Sequence, residues 1–275
     1  MKTAQVIADL VHSQRITRLD LSKNRLKDEG VAALASALAA NTSLVHLNLA
    51  SNEITAKGIQ VLCERGLSGN ETLVSLDLSS IDGLSRNRLT HLGGTYLADL
   101  VKQPESNIQI LKLSGTSLGN RGLDHLLEAL QHKPNLVDLR LDQNEIVCNL
   151  DHVTKLVTLL ETAKHFHTLD LSMNVVGDDC LTHLAPVFSG LKSLKRLRLR
   201  ECRLTLKGLA CFFFYLHTNL GLQELVLDGN QLRPDFSLKD ETQKKQLVRV
   251  QEFFTRNTRV KYLSLAACQL NHLMF

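Results

Sequence analysis

The sequence predicts an α/β solenoid in which each turn adds one strand to a parallel concave sheet and one helix to the convex side. The pattern L-x-x-L-x-L-x-x-N-x-L, as at residues 136–146 (LVDLRLDQNEI), occurs in nine copies. Its second leucine lies at positions 19, 47, 76, 111, 139, 169, 197, 225 and 263, so the step is 28 to 30 residues, with two longer steps of 35 and 38. A period in this range is typical of a horseshoe-shaped solenoid, here with about nine repeats.

Each repeat divides into a strand and a helix. Around L-x-L the leucines alternate with other residues, which predicts a strand whose leucines face the core and whose intervening side chains face the concave side. In the second half of a repeat, Gly122 is followed by Leu126 and Leu130. A spacing of i, i+4 and i+8 is one face of a helix, so the second half is predicted to be helical.

The asparagine position of the pattern closes the turn after the strand. It requires a small side chain that can satisfy buried backbone groups. Thr116, Cys202 and Cys268 replace the asparagine with a hydroxyl or thiol donor. Because the repeat geometry alone explains this position, a structural role is predicted for all of its occupants. The asparagines are Asn24, Asn52, Asn87, Asn144, Asn174 and Asn230.

Residues 1–275 are predicted to form a single domain, because repeats that each contact only their neighbours share one continuous core. Residues 1–15 are expected to form a capping helix ahead of the nine repeats at residues 16–270. Only residues 271–275 (NHLMF) follow, which is too few for another helix. We therefore expect either that the chain is a fragment of a longer protein or that its last side chains, or a second molecule, cover this end.

Two repeats carry insertions. Residues 81–86 (IDGLSR) separate Ser80 from Asn87, and residues 233–239 (RPDFSLK) precede a helix. Such insertions are loops that border a binding surface or, on the alternative interpretation, tolerated drift. The apolar face of the helix after the second insertion is predicted to contain Leu247, Val250 and Phe254.

The composition favours a cytoplasmic protein that binds neither nucleic acid nor a membrane. A net charge of +4 with 22% charged residues is ordinary for a solvated protein surface, and it lacks the strong excess of basic residues expected of a nucleic-acid binder. Asp9 interrupts any apolar signal core, and no apolar run reaches about 18 residues. The six cysteines lack the paired terminal clusters of extracellular repeat proteins, so reduced and mostly buried thiols are expected.

The usual short motifs for catalysis are absent from the sequence. It has no G-x-x-x-x-G-K-[ST], no H-E-x-x-H and no C-x-x-C, so neither enzymatic activity nor a cofactor is predicted. His165 and His167, with Asp170 nearby, are the nearest metal candidate, but two histidines without a third ligand are more typical of solvated polar residues. The aromatic run at residues 212–214 (FFF) is expected to pack into the core and between adjacent helices.

The concave positions beside the middle leucine are not explained by the core and are the candidate binding residues. Arg196, Arg198 and Arg200 alternate along one strand, with Asp170 and Glu224 on its neighbours. Two interpretations stay open. One is a solvated cross-strand ion-pair ladder that contributes little; the other is a patch whose arginines bind carboxylates of a partner beside an aromatic anchor. The candidate partner-binding residues are Lys112, Arg140, Asp170, Arg196, Arg198, Arg200, Glu224, Val226 and Tyr262.

The strand pattern and period resemble the long, ribonuclease-inhibitor type of leucine-rich repeat over nearly the whole chain. This resemblance implies a non-catalytic module that binds a protein partner on its concave face and inhibits or modulates an enzyme by covering its active site. The arginines lead us to expect an acidic patch on the partner. Inhibition of a basic nuclease would require a strongly acidic concave face, whereas this one is mixed and locally basic.

The layout is also similar to that of repeat-only effectors of intracellular bacterial pathogens, which implies action in the host cytosol. The alternative function is that of a GTPase-activating or other signalling regulator, since some proteins with this repeat type activate small GTPases. The acidic tail of that family has no counterpart here. A pull-down with the purified protein and a GTP hydrolysis assay separate these two classes.

Overall fold

A computed structural model describes residues 7, 9–80, 85–233 and 241–270 of the chain. This part contains a nine-stranded sheet in which every strand is parallel to, and hydrogen-bonded with, the strands before and after it in sequence. The strands are β1 (Arg18–Asp20), β2 (His46–Asn48), β3 (Ser75–Asp77), β4 (Ile110–Lys112), β5 (Asp138–Arg140), β6 (Thr168–Asp170), β7 (Arg196–Arg198), β8 (Glu224–Val226) and β9 (Tyr262–Ser264).

Helices connect the consecutive strands and pack side by side along the convex side of the sheet. A π-helical turn, Leu62–Gly66, continues the second of them. The predicted class, an α/β solenoid with a parallel sheet, is confirmed. The helices are α1 (Lys27–Leu38), α2 (Ala56–Val61), α3 (Thr90–Lys102), α4 (Gly119–Leu130), α5 (Leu150–Thr162), α6 (Gly177–Gly190), α7 (Leu206–Leu216) and α8 (Glu241–Arg256).

The register of the sheet follows the leucine period. Each middle leucine lies beside that of the next copy, as Leu47 does beside Leu76. These leucines are buried on the inner strands, whereas Leu19 and Leu263 on the two edge strands are only partly buried. Burying one leucine side chain contributes roughly 1.5–3 kcal/mol. Because the buried leucines of neighbouring strands lie side by side, the core runs as one continuous layer between the sheet and the helices.

The asparagine after each strand joins consecutive repeats. The Asn144 Nδ2 group donates to the carbonyls of Leu113 at 2.7 Å and Leu141 at 3.0 Å. Its Oδ1 atom accepts from the backbone N–H groups of Thr116 at 3.1 Å and Leu118 at 3.2 Å. One buried side chain thus bonds backbone groups of two repeats, which confirms the predicted structural role. We call this recurring arrangement the asparagine ladder.

Other groups complete the ladder where an asparagine is missing. The Thr116 Oγ1 hydroxyl donates to Leu113 O at 2.8 Å, and Cys202 Sγ lies 3.3 Å from a carbonyl oxygen of the preceding repeat. The backbone N–H of Asn87, which would face an asparagine at position 116, instead donates to Ser80 Oγ at 3.0 Å. A serine at the start of the first insertion therefore compensates for the threonine one repeat later.

A second contact between repeats recurs where helices begin. Asp28 in α1 accepts from the Thr55 backbone N–H at 2.8 Å and from its hydroxyl at 2.6 Å, and Thr55 is the N-cap of α2. Asp178 in α6 holds Thr205, the N-cap of α7, in the same way. Gly58 follows in the first turn of α2, where a Cβ atom would overlap the Asp28 carboxylate. The sequence of this turn is therefore dictated by the preceding repeat.

The aromatic run on α7 packs as predicted, with one side chain at the exposed edge. Phe212 is buried, and Phe213 stacks on Phe253 of α8 with ring centroids 4.4 Å apart, as expected. Phe214 is 43% exposed, with the Arg249 guanidinium 5.1 Å from its ring centroid. Phe214 therefore contacts the adjacent helix α8, as expected, but at the solvent-exposed edge of the contact.

Leu247, Val250 and Phe254 of α8 line one apolar cavity, so they share a face as predicted. Val250 is buried and Leu247 partly buried, as expected, but Phe254 is 48% exposed. Phe253 takes the buried position against α7 instead. Both phenylalanines lie within one turn of Val250, so helical periodicity alone does not choose between them.

The cysteines are free thiols, and four of the six are buried. Burial raises the pKa of Cys202 to about 12 and raises that of Cys63 further. Since the thiolate is the reactive form, these groups behave as packing residues. This matches the expectation of reduced, mostly buried thiols.

Replacing Asn144 by alanine is expected to lower the free energy of unfolding by about 3 kcal/mol, because several buried backbone groups lose their partner. Asn24 is the matched control, since it is exposed and its Nδ2 group donates to Leu21 O and Ser22 O at the edge of the array. Its alanine variant should lose about 1 kcal/mol. Urea denaturation measures both, and equal losses would contradict the ladder as the main connection between repeats.

The C-terminal end generates a second prediction. Leu265 and Leu270 are half-buried beside an apolar cavity of about 100 Å³ between α7, α8 and β9. Leu273, Met274 and Phe275 lie outside the described residues, so the expected capping of this end stays a prediction. Removing residues 271–275 should lower the melting temperature or promote association, because more of this apolar surface would meet water. A shortened chain that stays monomeric in light scattering with an unchanged melting temperature would refute it.

Candidate partner-binding surface

The concave side chains come from alternate positions of each strand. In β7, Arg196 and Arg198 flank the buried Leu197. The side chains of Arg196 and Arg200 are 54% exposed, that of Arg198 is 33% exposed, and Tyr262 is 56% exposed. Arg196, Arg200 and Tyr262 are therefore the predicted site residues that a partner reaches most easily.

The sixth strand is an exception to this exposed face. The sequence predicts accessible positions for Thr168 and Asp170, yet both are buried, Asp170 being 7% exposed. Arg140 and Arg198 stand beside Asp170 on the neighbouring strands, and their charges lie close to its carboxylate. The Asp170 carboxylate accepts from the Ser172 backbone N–H at 3.0 Å and lies 3.8 Å from Arg198 Nη1. Asp170 is thus a buried counter-ion and not an exposed contact residue.

Charge pairing is dense around β7. Arg198 Nε and Nη2 donate to one oxygen of Glu224 at 2.9 and 2.7 Å, while Arg196 Nε lies 3.4 Å from the other oxygen. Arg200 donates to Glu201 at 3.0 and 2.8 Å. Because Arg200 and Glu201 are both exposed, this last pair contributes little to stability. Glu224 therefore serves two arginines, and Arg200 can exchange its neighbour for a partner's carboxylate at small cost.

The ladder of ion pairs continues towards β3. Lys112 Nζ lies 3.4 Å from Asp77, and Arg140 donates through Nε and Nη2 to Asp138 at 3.2 and 3.1 Å. Burial disfavours the charged form of Arg140, but its hydrogen bonds to Asp138 and the nearby Asp170 charge raise the pKa of Arg140. Cross-strand ion pairs are therefore present in the structure at Lys112 and Arg198, whereas Arg140 pairs with Asp138 within β5.

Asp142 is a site residue that the sequence analysis missed. It lies just beyond β5, two residues after Arg140, and accepts from Ser114 Oγ at 2.6 Å. Burial raises the pKa of Asp142, the nearby Asp170 charge raises it further, and the Ser114 hydrogen bond opposes them. Asp142 stands three residues after its middle leucine, and so does Arg200. This shared offset from the middle leucine could have identified Asp142 in the sequence.

One cavity brings most of the predicted residues together. We call it the concave cavity; its volume is about 510 Å³. Lys112 and Arg140 lie outside it, and Arg196 lines a neighbouring cavity of about 360 Å³. Six of the nine predicted site residues therefore line one cavity. The concave cavity is lined by Asp142, Asp170, Ser172, Met173, Arg198, Arg200, Glu224, Val226 and Tyr262.

The weak metal candidate is not assembled into a larger cluster. His165 and His167 are both exposed. Within residues 9–80, 85–233 and 241–270, no three histidine, cysteine or acidic side chains converge as a metal site would require. The helices of this same part of the chain are too short or too polar to cross a membrane.

A Leucine Rich repeat family model matches residues 12–35, 40–63 and 162–185. Together with the sequential parallel sheet and the asparagine ladder, these matches define the class of the protein. It is a leucine-rich repeat protein with repeats of the ribonuclease-inhibitor type.

Comparison with known proteins agrees with this class. Ribonuclease inhibitor of Sus scrofa is 30% identical over 227 residues, covering 82% of this chain and 42% of that protein. NACHT, LRR and PYD domains-containing protein 13 of Homo sapiens is 34% identical over 191 residues, covering 69% of this chain and 17% of that protein. The chain thus spans less than half the length of these relatives.

The fold also matches that of a bacterial protein. The crystal structure of internalin C2 from Listeria monocytogenes aligns with a TM-score of 0.54, covering 96% of this chain and 92% of that chain. The sequence identity is 18%, so this likeness supports the fold alone.

Replacing Asp142 by asparagine is expected to stabilise the protein at pH 7. Because its folded-state pKa is raised above the ordinary value of 3.8, the protonated form favours folding, and this contribution is lost as the pH rises through the folded-state pKa. Asparagine stays uncharged and its amide oxygen can still accept from Ser114. The gain in free energy of unfolding should therefore appear at pH 7 and shrink at pH 3, as measured by urea denaturation.

Asp151 is the matched control with the opposite sign. Its hydrogen bond with Lys155 lowers the pKa of Asp151, so its stabilising contribution is present above the ordinary pKa and lost as the pH falls through the folded-state value. Asp151→Asn should therefore destabilise at pH 7 and have little effect at pH 3. The same pH response in both variants would contradict burial as the cause for Asp142.

Proposed function

We propose that residues 1–275 act as one non-catalytic protein-binding module whose concave face engages a protein partner. The observation that carries the proposal is the concave cavity, which combines accessible arginine, apolar and aromatic side chains in one recess on a rigid sheet. Arginine and tyrosine are enriched among the residues that dominate binding energy in interfaces. Ribonuclease inhibitor, one of the relatives, is by its name a protein that inhibits an enzyme.

The structure suggests a division of labour within the candidate site. Arg196, Arg200, Val226 and Tyr262 are accessible or half-buried and would contact the partner. The supporting residues hold the surface through ion pairs and hydrogen bonds. They are Lys112, Arg140, Asp170, Arg198 and Glu224.

The partner would present acidic groups, because Arg196 and Arg200 are the most exposed arginines of the candidate site and exposed ion pairs exchange at small cost. A guanidinium can bind a carboxylate through two parallel hydrogen bonds. We infer that the module acts in the cytoplasm and modulates an enzyme by covering its active site. A role as a delivered bacterial effector has weaker support, because the sequence relatives named above are mammalian proteins.

Reversing charge at Arg196 and Arg200 together, by Arg196→Glu and Arg200→Glu, should weaken partner binding about tenfold or more. Arg198 is left unchanged, because its reversal would place a third carboxylate beside Glu224 and the buried Asp170. The partner is first captured on the immobilised protein from a cytosolic extract and then titrated against wild type and variant. Raising the salt concentration should weaken binding to wild type, since such attraction is screened over roughly 8 Å at physiological ionic strength.

The matched control reverses the same number of charges on the convex side, by Arg65→Glu and Arg121→Glu. Both residues are exposed, on the π-helical turn and on α4. This control should bind like wild type, and both double variants should melt like wild type. Loss of partner binding in the convex control with none in the concave variant would place the interface on the helices and reject the proposal.

A further inference from the structure

The residues that immediately precede the strands form a row along one edge of the concave face. Lys195 donates its backbone N–H to His167 O at 2.8 Å, Gln223 to Lys195 O at 2.9 Å, and Lys261 to Gln223 O at 2.8 Å. These side chains are therefore held in register on neighbouring strands. Before the first five strands the same position carries no charge; it is a valine at three of them (Val45, Val74 and Val137) and Thr17 or Gln109 at the other two.

The basic end of this row forms a cavity of its own, of about 360 Å³. We call its lining the strand-start rim. Tyr262 stands at one side of it and is 56% exposed. The backbone amides of the row are already bonded within the sheet, so a ligand has to be recognised by side chains. The strand-start rim consists of His167, Lys195, Arg196, Gln223, Glu224, Lys261 and Tyr262.

The strand-start rim holds more positive charge than its own carboxylate can pair. Glu224 already accepts two hydrogen bonds from Arg198 and lies 3.4 Å from Arg196. Neither Lys195 nor Lys261 has an ion-pair partner among the residues that the structure describes. The Lys195 ammonium donates to a backbone carbonyl at 2.7 Å, which leaves its charge uncompensated. The uncompensated positive charge of the strand-start rim therefore favours an anionic ligand.

The spacing of the cations indicates the shape of that anion. Lys195 and Lys261 stand two strands apart, which is roughly 10 Å at ordinary strand spacing. A compact phosphate group spans a shorter distance and is usually held by clustered arginines or free backbone amides. Single carboxylates spaced along an extended chain match separate lysines better. The Tyr262 ring offers the same chain an apolar surface.

We propose that the strand-start rim binds an acidic segment of the protein partner, with aspartate or glutamate carboxylates contacting Lys195, Arg196 and Lys261 and the segment packing on Tyr262. This inference rests on the proposed function and names the chemistry of one part of the partner. The concave cavity would receive a different part of the same partner. Attraction between the segment and the rim also steers the encounter.

The test uses the full chain and a fluorescein-labelled peptide of six glutamates, with binding followed by fluorescence anisotropy. The double variant Lys195→Ala with Lys261→Ala should lose about fivefold or more in affinity, the loss expected for two charge contacts at the protein surface. The matched control, Lys57→Ala with Lys207→Ala, removes the same charge from exposed positions on α2 and α7. It should lose less than about twofold, because only general attraction changes.

Equal losses in the two double variants would overturn the inference, since they would show attraction to the net charge alone. Inorganic phosphate, added at the same ionic strength as a chloride control, should displace the peptide no better than chloride. Displacement by phosphate well beyond chloride would overturn the preference for spaced carboxylates.

Failure of this inference can be told from failure of the proposed function. Arg200 lines the concave cavity and lies outside the strand-start rim. If Arg200→Glu weakens binding of the captured partner while the lysine variant leaves peptide binding intact, only the assignment of the strand-start rim is wrong. If the lysines control peptide binding but Arg200→Glu leaves partner binding unchanged, the concave-cavity function is wrong.

Discussion

Pairing of the backbone groups in the turns after the strands is the constraint on which the remainder of the structure depends. These groups lie inside the solenoid and would cost about 1–3 kcal/mol each if they stayed unpaired. Side chains such as Asn144 bond them across the boundary between repeats, so each turn is fixed against the next. This stacking puts equivalent residues in rows, and those rows produce the ion-pair ladder and the strand-start rim.

The leucine period was enough to predict the sheet and its register, because a strand shifted by one residue would place its leucines on the concave side. The longer step of 35 residues did not disturb the predicted register, since its insertion follows β3 and leaves the pairing of Leu76 with Leu111 intact. The replacement of a missing asparagine by another nearby group could not be predicted from the sequence. That Ser80 bonds the Asn87 backbone depends on where a turn lies in space. The choice of Phe253 over Phe254 likewise depends on how α8 is rotated against α7.

The sequence predicted where the candidate site lies, but not how exposed its side chains are or which ion pairs they form. Arg196 and Arg198 look equivalent in the sequence, yet their exposure and pairing with Glu224 differ, because each depends on neighbouring strands. Asp142 and Lys195 were missed for a simpler reason. Alternation describes only the strand, whereas residues just before and just after it also reach the concave side. Reading the same offset from every middle leucine would have found both.

The sequential order of the strands has an evolutionary consequence. Each strand pairs only with its neighbours in the chain, so a whole repeat can be gained or lost without rethreading the backbone. The gain or loss of a repeat changes which strands are neighbours, and therefore which side chains face each other on the concave surface. Loss of the repeat that contains β7 would set Asp170 beside Val226 and Thr168 beside Glu224, which exchanges a cationic face for an acidic one in a single deletion. Gain or loss of one repeat thus changes several facing pairs at once, whereas a substitution changes a single position.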